Sequence, residues 1–191
     1  GGKTGINTKY GKNLIGSFYQ PALVISDTNF LKSLPKREIL CGYGEIFKHS
    51  IIFDRKFFLF LDKNLDKILN LQTPYIENSI LKSCIIKKKI VEKDFKEKNL
   101  RKTLNLGHTF GHAYEACLGY SRKLNHGEAV ILGIASATAF SYLNRLLNFS
   151  NYKLILNHIS KISKNLVVKK YFNIKSKNKI LKYMVNDKKN F

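Results

Sequence analysis

The sequence is poor in the residues that cross-link, kink or anchor small proteins. Among 191 residues it has no tryptophan, one methionine, three prolines and three cysteines. The cysteines (Cys41, Cys84 and Cys117) lie far apart and form no Cys-x-x-Cys pair, which predicts reduced thiols in a cytoplasmic protein. Few prolines, with 44% hydrophobic and 12% aromatic residues, argue against a disordered basic tail or a collagen-like fibre. The composition predicts a folded body.

Long apolar segments are absent as well. The first residues, Gly-Gly-Lys-Thr, show neither the basic start nor the apolar stretch of a signal peptide. The longest nearly uncharged segment, residues 129–143, is shorter than the ~20 residues that a membrane span requires. We interpret it as a buried helix and expect no membrane partner. Because the sequence does not open with methionine, we expect it to be a piece of a longer protein.

Acidic residues are scarce. The chain has 34 lysines and arginines but only 13 acidic residues, so its net charge is +21. Such a charge suits nucleic acid, an anionic membrane surface or an anionic small substrate. Only five of the basic residues are arginines, and lysine is spread along the whole chain beside abundant asparagine and isoleucine. This pattern favours compositional drift with solvated lysines. A basic nucleic-acid-binding module stays open as an alternative, but no recognised motif supports it, and we expect no nucleic acid partner.

The hydrophobic pattern predicts a mainly α-helical body preceded by a strand-and-loop segment. The apolar run at residues 21–27 predicts a buried strand. Apolar spacing and proline positions predict a series of helices. These cover residues 35–52, 54–71, from 74 up to a polar loop at 94–99, 107–118, 127 to about 147, and a further helical pattern after 148.

Histidines are concentrated in one part of the chain. His108 and His112 lie four residues apart, so that on a helix their rings project from one face, and Glu115 adds a carboxylate on the next turn. Gly107 and Gly111 flank them, and we expect these glycines to keep that face open for a metal or ligand. The cluster indicates a metal site, because imidazoles suit Zn²⁺ and a catalytic zinc takes three protein ligands.

Further ligands are available elsewhere. His126 opens another predicted helix, and Glu45 lies on a helix with Lys48 one turn on. A surface ion pair is the plain alternative for Glu45 and Lys48. His49 and His158 have no comparable neighbours, and we interpret both as structural or exposed.

Seven segments of the chain resemble the 3-dehydroquinate synthases, a family of sugar phosphate cyclases, and they occur in that family's order. They are GGKTGIN (1–7), GKNLIGSFYQP (11–21), LPKRE (34–38), GEIFK (44–48), LNLGHTFGHAYE (104–115), HGEAV (126–130) and DKKN (187–190). The match is close over residues 1–48 and 83–134 and loose over 149–182. One departure is an extra residue before His126, in Leu-Asn-His.

The resemblance implies roles for individual residues. Glu45, His108 and His126 match the metal ligands, and His112 matches a histidine that relays protons. His112, Lys48 and Asn105 are the implied catalytic residues. The implied substrate-binding residues are Lys3, Asn13, Lys48, Lys87, Arg101, Asn105 and Lys188, with Lys189 as the neighbouring alternative to the last. The implied NAD-binding residues are Lys3, Lys12, Phe30, Leu31, Lys32, Ser33, Leu34 and Glu38.

The resemblance also implies a reaction and an architecture. The family converts 3-deoxy-D-arabino-heptulosonate 7-phosphate to 3-dehydroquinate and phosphate, with transient oxidation by NAD⁺ and assistance from Zn²⁺ or Co²⁺. Residues 1–34 would end an α/β NAD-binding domain, and residues 35–191 would form most of a helical metal- and substrate-binding domain. We expect a cytoplasmic homodimer in the full-length enzyme and an inactive isolated chain.

Two other enzyme classes stay open. One is another sugar phosphate cyclase, such as a 2-deoxy-scyllo-inosose synthase, which shares the metal ligands and the use of NAD. The other is a metal-dependent polyol dehydrogenase, in which reduced NAD would accumulate as a net product.

Overall fold

A computed structural model describes residues 4–8, 11–17 and 19–187 of the chain, with the backbone alone at residues 7 and 11–13. An antiparallel hairpin of β1 (Ile6–Thr8) and β2 (Gly11–Ile15) comes first. The α-helices are α1 (Lys36–Phe53), α2 (Arg55–Lys63), α3 (Leu65–Leu69), α4 (Tyr75–Lys93), α5 (His108–Cys117), α6 (His126–Leu143), α7 (Phe149–Ile162), α8 (Val168–Tyr171) and α9 (Lys177–Val185). Short 3₁₀ helices span Thr28–Ser33, Leu100–Asn105 and Ile174–Ser176. The mainly helical fold class is confirmed.

The predicted buried strand at residues 21–27 is wrong. This segment carries no strand hydrogen bonding, and Leu23, Val24 and Ile25 are between 72% and 80% exposed. A strand needs a neighbour for its backbone N–H and C=O groups. Within the described residues, β1 and β2 pair only with each other, so the apolar run has no sheet to join.

The predicted helix over residues 54–71 is broken at Asn64. Asp54 caps the N-terminus of α2 by accepting a hydrogen bond from the backbone N–H of Phe57 at 2.9 Å. Asn64 has a non-helical φ of −114° and ends the helix, and α3 then starts at Leu65. The apolar spacing nevertheless identified the buried side chains, which are Phe57, Phe58, Leu61, Leu65 and Ile68.

Helix α6 forms the centre of the core and is contacted by α1, α5 and α7. Residues 129–134 are all buried, as the uncharged composition predicts. The helix begins at His126 and ends at Leu143, short of the predicted end near 147, and its last turns leave Phe140 and Leu143 more than half exposed. The buried half is the half that starts at His126, which places this histidine at the edge of the core.

Gly107 and Gly111 do not keep a face open for a ligand, and that expectation is wrong. Gly107 has a φ of +77°, and a Cβ there would lie 2.7 Å from the backbone nitrogen of Ile134. A Cβ at Gly111 would lie 2.9 Å from the carbonyl oxygen of Ala129. The missing side chains therefore let α5 and α6 pack backbone against backbone.

His49 and His158 are both buried. Each nitrogen of the His158 ring has a hydrogen-bond partner. The Tyr43 hydroxyl lies 2.8 Å from Nε2, and the Asp62 carboxylate lies 2.8 Å from Nδ1. His49 Nδ1 lies 2.7 Å from the Ser83 hydroxyl. Both rings are satisfied core histidines rather than exposed ones.

The three cysteines are free thiols. In the described part of the chain, every helix is too short or too polar to cross a membrane.

Candidate metal centre

Three side chains from three helices meet at one point. Glu45 lies in the middle of α1, His108 is the first residue of α5, and His126 is the first residue of α6. One potential ligand atom from each lies within 4.8 Å of the other two. The rings of His108 and His126 are 5.7 Å apart between centroids. The structure thus brings together the three residues that the resemblance implies as metal ligands.

The Glu45 carboxylate fits a metal ion. Its Oε1 is buried and has no hydrogen-bond partner among the described residues, and it lies 3.7 Å from Nε2 of His108. That separation is too long for a hydrogen bond but suits two ligands that each bind one ion at about 2.0–2.2 Å. Two imidazoles and a carboxylate are also a donor set that catalytic zinc accepts.

Lys48 holds the other oxygen of Glu45. Its Nζ donates a hydrogen bond to Oε2 at 2.7 Å, and its side chain is only 3% exposed, so the surface ion pair considered above is wrong. Burial raises the pKa of Glu45, but the charge and hydrogen bond of Lys48, together with the nearby His108, outweigh it and leave this pKa lowered. Glu45 is therefore a carboxylate at neutral pH, as a metal ligand must be.

His112 lies beside the three ligand candidates. Its ring centroid is 5.3 Å from that of His108 and 5.9 Å from that of His126. Its Nδ1 lies 3.5 Å from Oδ2 of Asp187, two residues beyond α9. The helical spacing that placed His108 and His112 on one face of α5 is confirmed. The contact with Asp187 was not predicted, because the two residues are 75 positions apart in the sequence.

A cavity of about 150 Å³ opens next to the ligand candidates. It is lined by Glu45, Lys48, His49, Lys87, Glu97, Arg101, Leu104, Asn105 and His108. Lys48, Lys87, Arg101 and Asn105, which the resemblance implies as substrate contacts, therefore share one cavity with two of the ligand candidates. Three cationic side chains in so small a space suit an anionic ligand.

Glu97 is a cavity residue that the sequence analysis missed. Its Oε1 accepts a hydrogen bond from the Asn105 side chain at 3.1 Å, and its Oε2 lies 3.9 Å from Nε of Arg101. Arg101 is 8% exposed and also donates to the carbonyl of Phe95 at 2.9 Å. The four-residue spacing of Glu97 and Arg101 was the available signal, although such pairs are common on surfaces.

The loop before α6 is fixed by contacts that place His126. Asn125 and Glu128 form a capping box, in which each side chain accepts the backbone N–H of the other residue. Arg37 donates to Oε1 of Glu128 at 2.8 Å and to the carbonyl of Arg122 at 2.7 Å. These hydrogen bonds fix the turn that precedes His126, where the sequence analysis finds a departure from the family pattern.

The other predicted site residues lie elsewhere. Phe30, Leu31, Lys32 and Ser33 belong to the first 3₁₀ helix, and Leu34 and Glu38 follow it. Leu31, Leu34 and Glu38 line an apolar cavity of about 270 Å³ that shares no lining residue with the first, and Phe30 is 73% exposed. Lys3, Lys188 and Lys189 lie outside the described residues, as do the side chains of Lys12 and Asn13.

Family models match the whole length of the chain apart from its last residue. A model described as 3-dehydroquinate synthase N-terminal matches residues 1–41, and one described as 3-dehydroquinate synthase C-terminal matches residues 42–190. A curated 3-dehydroquinate synthase of Pelagibacter ubique (strain HTCC1062) is 61% identical over 190 residues, which are 100% of this chain and 52% of the relative. One of Aliivibrio fischeri (strain MJ11) is 43% identical over 189 residues, with 99% and 51% coverage. The chain spans about half the length of the curated relatives it matches.

Two solved structures share the fold. ValA, the 2-epi-5-epi-valiolone synthase of Streptomyces hygroscopicus subsp. jinggangensis 5008 with NAD⁺ and Zn²⁺ bound, superposes with a TM-score of 0.84 at 21% identity, over 100% of this chain and 52% of that one. A 2-deoxy-scyllo-inosose synthase complexed with carbaglucose-6-phosphate, NAD⁺ and Co²⁺ gives 0.81 at 25% identity, over 98% and 50%.

Proposed function

Since the chain belongs to the 3-dehydroquinate synthase family, we propose that it forms the metal- and substrate-binding half of an enzyme that converts 3-deoxy-D-arabino-heptulosonate 7-phosphate to 3-dehydroquinate and phosphate. The observation that carries this proposal is the convergence of Glu45, His108 and His126 beside a cavity lined by cations. The names of relatives do not say which residues of this chain could act, whereas this geometry supports a site for a metal ion and an anion.

Glu45, His108 and His126 would hold Zn²⁺ or Co²⁺, the ions named for the two similar structures. A bound divalent cation supplies Lewis acidity to the oxygens of a hydroxylated substrate. NAD⁺, also named for both structures, supplies the hydride acceptor. The proposed NAD contacts are those that the resemblance implies: Lys3, Lys12, Phe30, Leu31, Lys32, Ser33, Leu34 and Glu38.

The cavity cations would bind the charged groups of the substrate. Asp94 accepts a hydrogen bond from the backbone N–H of Arg101, while the guanidinium donates to the carbonyl of Phe95 and lies beside Glu97, so that it is already oriented before an anion arrives. Lys87 and Lys48 add positive charge from α4 and α1. Asn105 offers an amide to a hydroxyl or carboxylate. The remaining proposed substrate contacts, for which the resemblance is the only support, are Lys3, Asn13 and Lys188.

His112 would move protons at this site. Its side chain is 29% exposed and lies within ring contact of His108 and His126, so that it can exchange protons with solvent while facing the metal position. Histidine suits this role at neutral pH because its ordinary pKa is near 6.5.

The wider assignments follow the same proposal. Residues 1–34 would complete an NAD-binding domain and residues 35–191 would form the helical domain. The working enzyme would be a cytoplasmic homodimer without nucleic acid. The free thiols support a reducing compartment.

The metal centre can be tested on the 191-residue chain. We expect about one Zn²⁺ per chain after dialysis, measured by elemental analysis, and a sharp loss of bound zinc in Glu45→Ala, His108→Ala and His126→Ala. Glu92→Ala is a matched control, because Glu92 is an exposed carboxylate on α4 that pairs only weakly with Lys88. Unchanged zinc content in the three variants would sink the assignment.

The reaction needs a longer protein. The natural test is a fusion protein in which the N-terminal half of the Pelagibacter ubique homologue precedes this chain. We expect the fusion protein to release phosphate from the heptulosonate phosphate. The second candidate is another sugar phosphate cyclase, favoured by the TM-score of 0.81 to the 2-deoxy-scyllo-inosose synthase. Turnover of glucose 6-phosphate without turnover of the heptulosonate phosphate would establish that candidate instead.

A further inference from the structure

His126 is the most exposed histidine of the proposed metal centre. Its side chain is 47% exposed, whereas that of His108 is 9% exposed. An imidazole at the first position of a helix can rotate about two bonds, and freezing such a side chain costs conformational entropy. Something on the protein must therefore hold this ring if it is to offer a nitrogen in a fixed direction.

Glu115 makes that contact. Its Oε2 lies 3.0 Å from Nδ1 of His126. Within the described part of the chain, this contact is the one hydrogen bond that the His126 ring makes. Glu115 itself is only 4% exposed. It lies on α5, three residues after His112 and seven after His108, so that one helix carries a ligand, the proton-relay histidine and this carboxylate on one side.

The contact determines which nitrogen of His126 is free. An ionised carboxylate only accepts hydrogen bonds, and so Nδ1 must carry the proton. In the neutral ring the lone pair is then on Nε2, and a metal can be bound only through that atom. Buried carboxylates that hold the far nitrogen of a ligating histidine raise the basicity of the ligand and fix its orientation.

We propose that Glu115 is a positioning residue for the metal centre, which fixes the ring orientation and the tautomer of His126 without touching the metal. This inference rests on the proposed metal-binding function. It adds a fourth side chain to a centre for which the resemblance implies three. It also explains why the Glu115 carboxylate is buried against His126 and does not line the cavity.

A different arrangement would use Glu115 as a ligand. Atoms of His112, Glu115 and His126 also lie within 4.8 Å of one another. The hydrogen bond between Glu115 and His126 favours the positioning role, because two atoms joined by a hydrogen bond at 3.0 Å, here Oε2 and Nδ1, do not bind one ion at the same time. The two roles differ in the coordination that a bound ion would show.

The affinity of the 191-residue chain for Zn²⁺, measured by chelator competition, tests the proposal. We expect Glu115→Ala to bind Zn²⁺ 10- to 100-fold more weakly and Glu115→Gln about tenfold more weakly. At saturating Co²⁺, both variants should reach one ion per chain with the visible absorption spectrum of the parent. A changed cobalt spectrum would show that Glu115 is a ligand and overturn the positioning role.

Asp62→Asn is the matched control. Asp62 holds Nδ1 of His158 at 2.8 Å, so the variant removes the charge from the same kind of carboxylate–histidine pair in the core, as Glu115→Gln does at the site. It should lower stability and leave zinc affinity unchanged. His126→Ala separates the two proposals. If it binds zinc as tightly as the parent, the metal centre itself is wrong; if it loses zinc while a folded Glu115→Ala does not, only the role of Glu115 is wrong.

A second measurement can be made on the parent chain, so that it gives a result even if the Glu115 variants do not fold. Nitrogen-15 NMR of the metal-free parent chain should show His126 with its proton on Nδ1, and folded Glu115→Ala should shift the ring toward the ordinary Nε2–H tautomer. Should circular dichroism show both Glu115 variants unfolded, the parent spectrum decides. A parent His126 protonated at Nε2 would overturn the proposal.

Discussion

At the scale of single residues, burial and neighbouring charges shift the pKa values of Glu45 and His49 on α1. Lys48 is buried beside the Glu45 carboxylate, whose Oε2 accepts a hydrogen bond from its Nζ at 2.7 Å. His49, one residue further along α1, is also buried but faces the Ser83 hydroxyl. Burial and the nearby charge of Lys48 lower the pKa of His49 to about 4. The ring is therefore neutral in the folded chain throughout the physiological range.

The lowered pKa of His49 predicts a loss of stability in acid. The unfolded chain binds a proton at this histidine near pH 6.5, whereas the folded chain does not until about pH 4. The stabilisation is complete above pH 6.5 and falls as the pH drops through that window. Between pH 6.5 and 5, the free energy of unfolding of the metal-free chain should fall by on the order of 2 kcal/mol more than that of His49→Asn.

Urea unfolding at the two pH values checks this prediction. His158, whose pKa is also lowered by burial, titrates in both proteins and leaves part of the slope in the variant. An equal fall in the free energy of unfolding of parent and variant between the two pH values would show that folding leaves the pKa of His49 unchanged.

At the scale of elements, the contact between α5 and α6 decides where the ligands lie. Helix α6 contacts α5 through glycines, and a Cβ at Gly133 would lie 2.0 Å from the carbonyl oxygen of Gly107. Because backbone cannot move aside as a flexible side chain can, the two helices would have to separate. His108 directly follows Gly107, and His126 begins the opposite helix, so that separation would also spread the ligands.

We predict that Gly133→Ala destabilises the chain by roughly 1–3 kcal/mol and weakens Zn²⁺ binding. Gly42→Ala is the matched control on α1, since nothing lies within 4 Å of a Cβ at that position. It should raise stability by about 0.5–1 kcal/mol, because alanine is the better helix former. Urea unfolding and chelator competition measure both effects. A Gly133→Ala chain with parental stability and zinc affinity would show that the helices can adapt.

At the scale of the whole molecule, the described residues among the first 25 leave several large apolar side chains exposed. Ile6, Leu14, Ile15, Leu23 and Ile25 are all at least 60% exposed. The curated relatives are about twice the length of this chain. A further half of the protein that packs on these residues would bury them and complete the proposed NAD site.

We therefore predict that the 191-residue chain alone releases no phosphate from the heptulosonate phosphate, even when loaded with zinc and supplied with NAD⁺. Fusion to the N-terminal half of the Pelagibacter ubique relative should restore activity and reduce the binding of an apolar dye such as 8-anilinonaphthalene-1-sulfonate. Measurable phosphate release by the isolated chain would contradict the prediction.

The helical part of the fold was predictable because its signals are local. Pro74 before α4, the apolar spacing of α2 and the uncharged first half of α6 each act over a few residues. The strand at 21–27 failed because a strand depends on partners far away in sequence. The break at Asn64 was missed because asparagine interrupts helices only in some contexts.

For the site, the helical spacing by itself placed His108, His112 and Glu115 on one side of a helix. It could not say that Glu45, 63 residues earlier, approaches His108, and that expectation came from the resemblance. Glu97 and Asp187 were missed because their roles depend on contacts across loops and between helices. Gly107 and Gly111 were misread because only the packing of α6 shows what fills the space beside them.

The sequence by itself determined the helical class, the family and the concentration of imidazoles, since these depend on periodicity and on segments read in order. The tertiary structure alone decided that three helices bring their ligand candidates within 4.8 Å, that one oxygen of Glu45 has no hydrogen-bond partner among the residues described, and that Glu115 holds His126. The reason is physical. The positions of the ligands depend on how closely α1, α5 and α6 pack, and that distance depends on where one helix has a glycine against the backbone or side chains of the next.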